Sequence, residues 1–196
     1  MSLGKKHQSH LPTSFYSEKA LLLACQHGQL YFVEELLYDG ADIECKDANG
    51  MTPLIVAAFS DQTPVLKRLL NHQPKVNVDA KDNDGQTALM YASFNGNQEC
   101  RVALLESNAS VNAVDKNGNT AFHIAAENEN IECVEELLKL RYHVLNVRNQ
   151  EKKTVLDVTK NEKMIELISK AMEEKPTEAD GNDSARIQEE ARKGTI

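Results

Sequence analysis

Leucine pairs recur along the chain at a constant distance from a recurring threonine. Thr52, Thr87 and Thr120 are each followed, 17 and 18 residues later, by two leucines. A fourth threonine, Thr154, continues the series, so the spacings are 35, 33 and 34 residues. A period in the low thirties is typical of short helical units stacked one on the next.

Each repeating unit predicts two helices, which we call helix A and helix B. In the second unit, the Thr52 hydroxyl can cap helix A, and Pro53 suits the first helical position, where a missing N–H costs nothing. Helix A is predicted from Pro53 to Ser60, and its pair Ala57-Ala58 gives a narrow face on which a neighbouring helix can approach closely. Helix B then carries one apolar stripe, formed by Val65, Leu66, Leu69 and Leu70.

A polar turn precedes each of the first three threonines. It reads Asp47-Ala48-Asn49-Gly50 in the second unit, and residues 82–85 and 115–118 repeat the pattern. Asn-Gly and Asp-Gly pairs favour tight turns with positive φ. The sequence therefore predicts a projecting finger at the start of each unit, followed by two antiparallel helices.

Residues 47–58 read Asp-x-x-Gly-x-Thr-Pro-Leu-x-x-Ala-Ala, and residues 115–126 read Asp-x-x-Gly-x-Thr-Ala-Phe-His-x-Ala-Ala. Each segment is followed by Leu-Leu, and together with Gly-Ala-Asp-Ile at residues 40–43 they resemble the ankyrin repeat. The resemblance implies an all-α solenoid of stacked helix-turn-helix units with β-turn fingers, whose concave surface is built from the fingers and helix A. It also implies that His123 holds the turn of its unit by hydrogen bonding.

The repeats predict three segments of chain. Residues 1–16 are expected to be a flexible lead-in, residues 17–174 the ankyrin repeat domain, and residues 175–196 an acidic, disordered tail. Five units are expected, at residues 17–46, 47–81, 82–114, 115–148 and 149–174. The first and last units are interpreted as caps, because the outer face of a terminal unit meets water and is expected to be polar.

Composition narrows the possible partners and compartments. A net charge of −8 argues against a surface that binds nucleic acid, and no apolar run approaches the length of a membrane span. Residues 1–16 lack the apolar stretch of a secretory signal, so we expect a cytoplasmic protein, with the nucleus as an alternative. Cys100 and Cys133, two of four cysteines, share one position in helix B and are predicted core residues.

Two loops depart from the repeat. The loop after helix B is longer by two residues in the second unit and by one in the fourth, and the glycine found elsewhere as Gly40 is replaced there by Gln73 and Arg141. Such insertions are thermodynamically cheap. A functional alternative places a ligand pocket at the rebuilt loops, around His72–Asp79 and Arg141–Arg148.

Arg101 is a second departure. It stands in an apolar position of helix B, where other units have Val33, Leu66 and Val134. Its guanidinium can extend along the surface to water or pair with an acid, and we expect the first arrangement.

Two aromatic residues form the third departure. Phe59 and Phe94 follow the small pair of helix A, a position that the resemblance places on the concave face, so we expect two stacked rings there unless either ring folds back on its own helix. An apolar patch with a polar rim is typical of a protein-binding hot spot. The candidate partner-binding residues are Met51, Phe59, Ser60, Gln86, Phe94, Asn95, Asn119, Glu127 and Asn128.

Catalytic chemistry is not predicted. The histidines do not converge, no cysteine spacing suggests zinc, and neither a phosphate-binding glycine loop nor a nucleophile elbow is present, so we expect no catalytic, cofactor or metal site. The leading hypothesis is a monomeric protein-protein interaction module, an adaptor or scaffold, whose partners present apolar and basic surface. A masking inhibitor of a kinase or transcription factor is the alternative, and an enzyme, a small-molecule binder or an end-to-end assembly ranks below both.

Overall fold

The computed structural model describes residues 13–139 and 146–173. Ten helices and no strand occupy these two ranges. In chain order they are α1 (Thr13–Gln26), α2 (Leu30–Tyr38), α3 (Pro53–Phe59), α4 (Thr63–Leu70), α5 (Ala88–Asn95), α6 (Gln98–Glu106), α7 (Ala121–Glu127), α8 (Ile131–Lys139), α9 (Val155–Val158) and α10 (Glu162–Glu173). The odd-numbered helices are the A helices of the five units, and the even-numbered ones are the B helices.

The predicted lead-in is too long at its C-terminal end. Helix α1 begins at Thr13, so residues 13–16 belong to the first helix rather than to a flexible segment. The rest of the predicted lead-in, the loop position Arg141 and the predicted tail at residues 175–196 lie outside the described residues.

Threonine caps start the A helices as predicted. The Thr52 hydroxyl accepts a hydrogen bond from the backbone N–H three residues on, at 3.4 Å, and Thr87 and Thr120 cap α5 and α7 in the same way. All three threonines are buried, so without the cap these N–H groups would lack a partner. The first of these helices ends at Phe59, one residue before the predicted end at Ser60.

Small residues let the A helices pack closely. The pairs that follow the helix start are completely buried, at 0% exposure. They are Ala57 with Ala58, Ala92 with Ser93, and Ala125 with Ala126. The A layer is more closely packed than the B layer, so the A helices lie on the inner side of the curved stack.

One aspartate organises each finger. Oδ1 of Asp47 accepts hydrogen bonds from the backbone N–H groups of Asn49 and Met51, at 2.9 and 2.8 Å. Asp82 and Asp115 make the same two bonds in the next fingers. The recurring aspartate is therefore structural, since it satisfies the backbone of a tight turn.

Successive fingers are joined by backbone hydrogen bonds. One amide of each finger donates to a carbonyl of the finger before it, at 2.8 to 2.9 Å. The three bonds run from Asn83 to Asn49, from Lys116 to Asp84 and from Gln150 to Asn117. The fingers thus form a fixed row along one edge of the stack, which preorganises any surface built on them.

Arg101 is buried rather than extended to water. Its side chain has 0% exposure, and Nη2 donates to Oε2 of Glu136 on the next B helix at 2.6 Å. The other carboxylate oxygen of Glu136 accepts from Gln98 at 2.7 Å. Arg101 Nε and Nη1 have no hydrogen-bond partner among the described residues. The expected extension to water is wrong, because α8 supplies an acid within reach.

The four cysteines are buried free thiols. Cys100 and Cys133 are 0% and 1% exposed, which confirms that they are core residues. Burial raises the pKa of Cys25 and of Cys45 to about 12, so both remain protonated at neutral pH. No described helix combines the length and apolar character needed to cross a bilayer.

Candidate functional site

Two phenylalanines project from the ends of neighbouring A helices. Phe59 is the last residue of α3, and Phe94 lies in the last turn of α5. Their side chains are 49% and 51% exposed, so about half of each ring packs on the protein and the other half faces solvent. Large apolar side chains this exposed, on adjacent helices of one layer, form a candidate contact surface.

The aromatic partner of Phe59 is Tyr91 rather than Phe94. The two ring centroids are 5.3 Å apart and the ring planes meet at 81°, an edge-to-face contact between α3 and α5. The expected stacked pair of phenylalanines is therefore replaced by an aromatic ridge, which we define as Phe59, Tyr91 and Phe94. Tyr91 was missed from the sequence, although Val56 and Ile124 hold the same position in neighbouring units.

Tyr91 is fixed to the finger of its own unit. Its hydroxyl donates to Oδ2 of Asp82 at 2.8 Å, while Oδ1 of the same carboxylate holds the finger backbone. Desolvation, this hydrogen bond and the nearby charges of Asp82, Asp84 and Asp47 raise the pKa of Tyr91. The hydroxyl therefore stays protonated, and Tyr91 is held by Phe59 at its ring and by Asp82 at its hydroxyl.

Met51 does not belong to the exposed surface. It was predicted to extend the apolar patch from the adjoining finger, but it is only 8% exposed and lies in the hydrophobic core. Its backbone N–H is bound by Asp47, and its side chain packs beneath the finger rather than above it. Met51 is thus a core residue and is not part of the candidate site.

Three amide side chains of the predicted rim make internal hydrogen bonds. Asn95 donates to the carbonyl of Phe59 at 2.8 Å, and so links the end of α5 to the end of α3. Asn119 accepts from Asn149 at 2.9 Å, and Asn128 donates to a carbonyl of its own helix at 2.9 Å. These residues shape the surface, but their amides are already used within the stack.

The remaining predicted rim residues have freer side chains. Glu127 is exposed, whereas Ser60 and Gln86 are half-buried. Among the described residues, none of these three side chains has a hydrogen-bond partner. Their role as polar contacts at the rim of the binding surface stays a prediction.

A polar groove of about 370 Å³ continues the surface toward the last unit. It joins Asn119 and Glu127, both predicted, to the finger of the fifth unit, whose residues were not predicted because that unit was interpreted as a cap. The lining residues are Asn117, Asn119, Glu127, Asn149, Gln150, Glu151, Lys153 and Val158. Lys153 and Glu151 form an ion pair at 2.7 Å, and both are exposed.

His123 links the fourth unit to the fifth by hydrogen bonds. Nδ1 lies 2.9 Å from the Thr120 hydroxyl, and Nε2 lies 3.3 Å from the carbonyl oxygen of Lys153 in the next unit. A carbonyl can only accept, so Nε2 carries the proton and Nδ1 accepts. Burial lowers the pKa of His123, which favours this neutral form.

The lengthened loop of the second unit is used for stacking. The backbone N–H of Asn77 donates to Glu44 of the preceding unit at 2.6 Å, and Asp79 accepts from the backbone of Ser110 in the following unit at 2.8 Å. No cluster of three or more His, Cys, Asp or Glu residues suited to a metal occurs among the described residues. The corresponding loop of the fourth unit lies largely outside them.

Stacked helix pairs, a hydrogen-bonded row of fingers and an exposed ridge on the inner helix layer define a helical-repeat solenoid. A family model described as ankyrin repeats in three copies matches residues 21–115, and another, for ankyrin repeats in many copies, matches residues 97–138. The chain belongs to the ankyrin repeat family. Ankyrin repeats are protein-interaction modules and are generally non-catalytic.

Similar proteins carry these repeats within much longer chains. The chain is 42% identical over 99 residues to the ankyrin repeat protein nuc-2 of Neurospora crassa, an alignment that covers 50% of this chain and 9% of that protein. It is 35% identical over 91 residues to the tyrosine-protein kinase HTK16 of Hydra vulgaris, covering 46% of this chain and 12% of that protein. It is also 35% identical over 91 residues to the ankyrin repeat and KH domain-containing protein mask-1 of Caenorhabditis elegans, an alignment that covers 46% of this chain and 3% of that protein.

The alignments cover little of these relatives, so the similarity is to their repeats. It does not assign to this chain the other activities that their names describe. That this chain has no enzymatic activity of its own stays a prediction.

Proposed function

We propose that this ankyrin stack is an adaptor or scaffold that binds a partner protein on its inner surface, with the aromatic ridge at the centre of the interface. The carrying observation is the edge-to-face pair of Phe59 and Tyr91 beside the half-exposed Phe94. Aromatic residues dominate the energetics of protein interfaces when a partner excludes water from them.

The ridge is held in place before binding. The Tyr91 hydroxyl is fixed by Asp82, and Asn95 fixes the end of the helix that carries Phe59. A surface that is already ordered loses little conformational entropy on association, so more of the contact energy appears as affinity. This supports the ridge as an anchor rather than as an incidental exposed patch.

Charge supports a partner with basic residues next to an apolar segment. Asp47, Asp82 and Asp84 lie on the finger side of Tyr91, Glu127 lies beyond Phe94 along the stack, and the whole chain carries a net charge of −8. Complementary charge raises the association rate and selects among partners. The apolar segment of the partner would cover the ridge, and its Lys or Arg side chains would face the finger carboxylates.

The proposal also includes the cellular compartment and the assembly state of the protein. Four buried free thiols suit a reducing compartment, which supports the cytoplasm, with the nucleus as the alternative. We further propose that the chain acts as a monomer and uses neither nucleic acid nor a membrane.

The test is a binding measurement on two variants. Partners recovered from the native cell by affinity purification and mass spectrometry are purified, and their Kd is measured for the wild type and for Phe59→Ala/Phe94→Ala. Loss of two central anchors should cost at least about 2 kcal/mol, which weakens binding by a factor of about 30. Val102→Ala is the matched control, because Val102 is 39% exposed but lies on the outer helix layer.

Circular dichroism and urea unfolding establish that each variant is folded. A folded double variant that binds every purified partner as tightly as the wild type does would rule out the ridge as the binding site. A loss of affinity that Val102→Ala shares would indicate an indirect effect on stability.

A further inference from the structure

The first unit has an exposed aromatic surface on the side that, in later units, packs against the unit before. Phe32 on α2 is 57% exposed, and Leu36, one turn later, is half-buried. In later units the residues at these two positions are only 0% to 3% exposed, because they pack against the B helix of the unit before. They are Val65, Cys100 and Cys133 at the position of Phe32, and Leu69, Leu104 and Leu137 at the position of Leu36.

Tyr31 enlarges this surface. It is 67% exposed, and its ring packs edge-to-face on Phe32 with centroids 5.9 Å apart. The expectation of a polar cap is therefore wrong for this side of the first unit. We call the surface formed by Tyr31, Phe32, Glu35 and Leu36 the N-terminal face.

Glu35 occupies the position at which the second and fourth units form ion pairs with the unit before, whereas the third unit has Ala103 there. Arg68 holds this position in the second unit and binds Glu34 of the first at 3.2 Å. Glu136 holds it in the fourth unit and binds Arg101 of the third at 2.6 Å. Glu35 is exposed and has no ion-pair partner among the described residues, so a unit stacked on this face would be expected to supply a cation.

On α10, the last described helix, the matching position does not hold a cation. On α10, Met164 and Ile168 are buried at 0% and match Cys133 and Leu137, which sets the register of the last B helix. In that register the position of Glu34 is taken by Glu166, which is exposed. Head-to-tail stacking of two copies would thus oppose Glu166 with Glu35, and like charges at a contact are destabilising.

We propose that the N-terminal face is a second interaction surface, which binds a helical surface of a partner protein that carries a Lys or Arg opposite Glu35 and aliphatic or small side chains opposite Tyr31 and Phe32. Apolar burial supplies the affinity, and the cation distinguishes this partner from a second copy of the chain. The face lies at the end of the stack, away from the aromatic ridge, so both surfaces can be occupied at once, as an adaptor requires.

The test gives α10 the cation that the proposed partner would place opposite Glu35. Glu166→Arg places a cation at the position that faces Glu35 in a head-to-tail contact, next to Ile165, which is 38% exposed. We expect this variant to self-associate, with a weight-average mass that rises with concentration past about twice the monomer mass, because a head-to-tail contact does not close. The wild type should remain a monomer, and analytical ultracentrifugation measures both.

Two matched variants locate the contact. Phe32→Ser in the Glu166→Arg background should abolish the self-association, because it removes the ring from the N-terminal face. Glu106→Arg alone makes the same charge change on an exposed residue of α6 in the middle of the stack and should stay monomeric.

Circular dichroism checks the fold of each variant. The proposal is overturned if Glu166→Arg stays monomeric, if Phe32→Ser leaves the association intact, or if the wild type associates as strongly as the variant. Phe59→Ala/Phe94→Ala in the Glu166→Arg background should not alter the association, so this test and that of the ridge fail independently.

Discussion

A buried arginine is the least typical residue of this stack. Arg101 is paired with Glu136, yet Nε and Nη1 have no partner in the part of the chain that the structure describes. Buried polar groups without hydrogen bonds are rare in folded proteins. Charge burial is costly, so such a pair contributes little net stability, whereas loss of one partner leaves the other charge uncompensated. The two partners should therefore respond differently to substitution.

Glu136→Ala should lower the free energy of unfolding by about 3 kcal/mol, because it leaves the buried guanidinium without a counter-charge. Arg101→Leu should leave stability within about 1 kcal/mol of the wild type or raise it, since leucine fills this position as Leu66 does in the second unit. Urea unfolding measures both. Arg68→Ala, which breaks an exposed pair, is the control and should cost less than about 1 kcal/mol.

Equal losses in Glu136→Ala and Arg101→Leu would contradict this account and would mean that the buried pair is a net stabiliser.

His123 should make stability depend on pH. Burial lowers its pKa in the folded state below the ordinary value of 6.5, so the unfolded state binds a proton more readily. Its contribution is complete above about pH 6.5 and is lost progressively as pH falls below that value toward the folded pKa. Urea midpoints at about pH 7.5 and about pH 5.5 measure this loss.

The control is His123→Met, which uses the residue that stands at this position as Met90 in the third unit. Its stability should change less between the two pH values than that of the wild type. An identical pH dependence in the two proteins would assign the effect to other groups.

At the scale of elements, the sequence predicted most of what is local. The threonine caps, the finger turns and the start of α3 at Pro53 follow from residues within a few positions of one another. In the turns between helices A and B, Asp61 and Glu129 have the left-handed conformation, with φ of 59° and 57°. The start of α1 at Thr13 was not predicted, because the residues before it lack the Asp-x-x-Gly-x-Thr pattern of the later units.

Alanine substitutions at two glycines separate the cost of backbone strain from the cost of disturbing the contact between two fingers. Gly40 and Gly50 both have positive φ, at 86° and 77°, but a Cβ on Gly40 would meet nothing within 4 Å, whereas one on Gly50 would lie 2.9 Å from the backbone nitrogen of Asn83. Gly40→Ala should cost about 1 kcal/mol from backbone strain alone. Gly50→Ala should cost at least about 2 kcal/mol, because it also separates two fingers.

Urea unfolding of the two single variants tests this comparison directly. Equal costs would mean that the contact between adjacent fingers adds nothing to the strain of the turn.

Among the described residues, each helix packs within its own unit and against the adjacent units. Helix α5 in the third unit packs against both α3 and α7, whereas α10 has a described neighbouring unit on one side only. In such an array local stability follows the number of neighbours, and the ends open first. The same absence of a neighbour leaves the N-terminal face exposed.

Native-state hydrogen exchange should therefore show a gradient. Amides of α5 should exchange most slowly, and amides of α10 at least about tenfold faster, a difference of about 1.4 kcal/mol in opening free energy. Mass spectrometry of peptides from each helix measures the gradient. Uniform protection from α1 to α10 would contradict nearest-neighbour stabilisation.

The sequence predicted the candidate site only in part, because it shows which helix carries a residue but not which residue from another unit packs against it. The sequence identified Phe59 and Phe94 because they depart from the repeat, but it omitted Tyr91 and included Met51. It placed the anchors on the correct helices, since position within a helix is local. It could not decide which ring packs on which, or which side chain lies beneath a finger.

The sequence by itself determined the period, the helix starts and the finger turns, because short-range hydrogen bonds and backbone preferences set these features within each unit. Only the tertiary structure decided that Arg101 pairs with Glu136, that Phe59 packs on Tyr91 and that Phe32 is left uncovered. Each of these outcomes depends on which unit lies next in the stack. The residues that meet there are about one repeat apart in the chain, too distant for a local pattern to specify the contact.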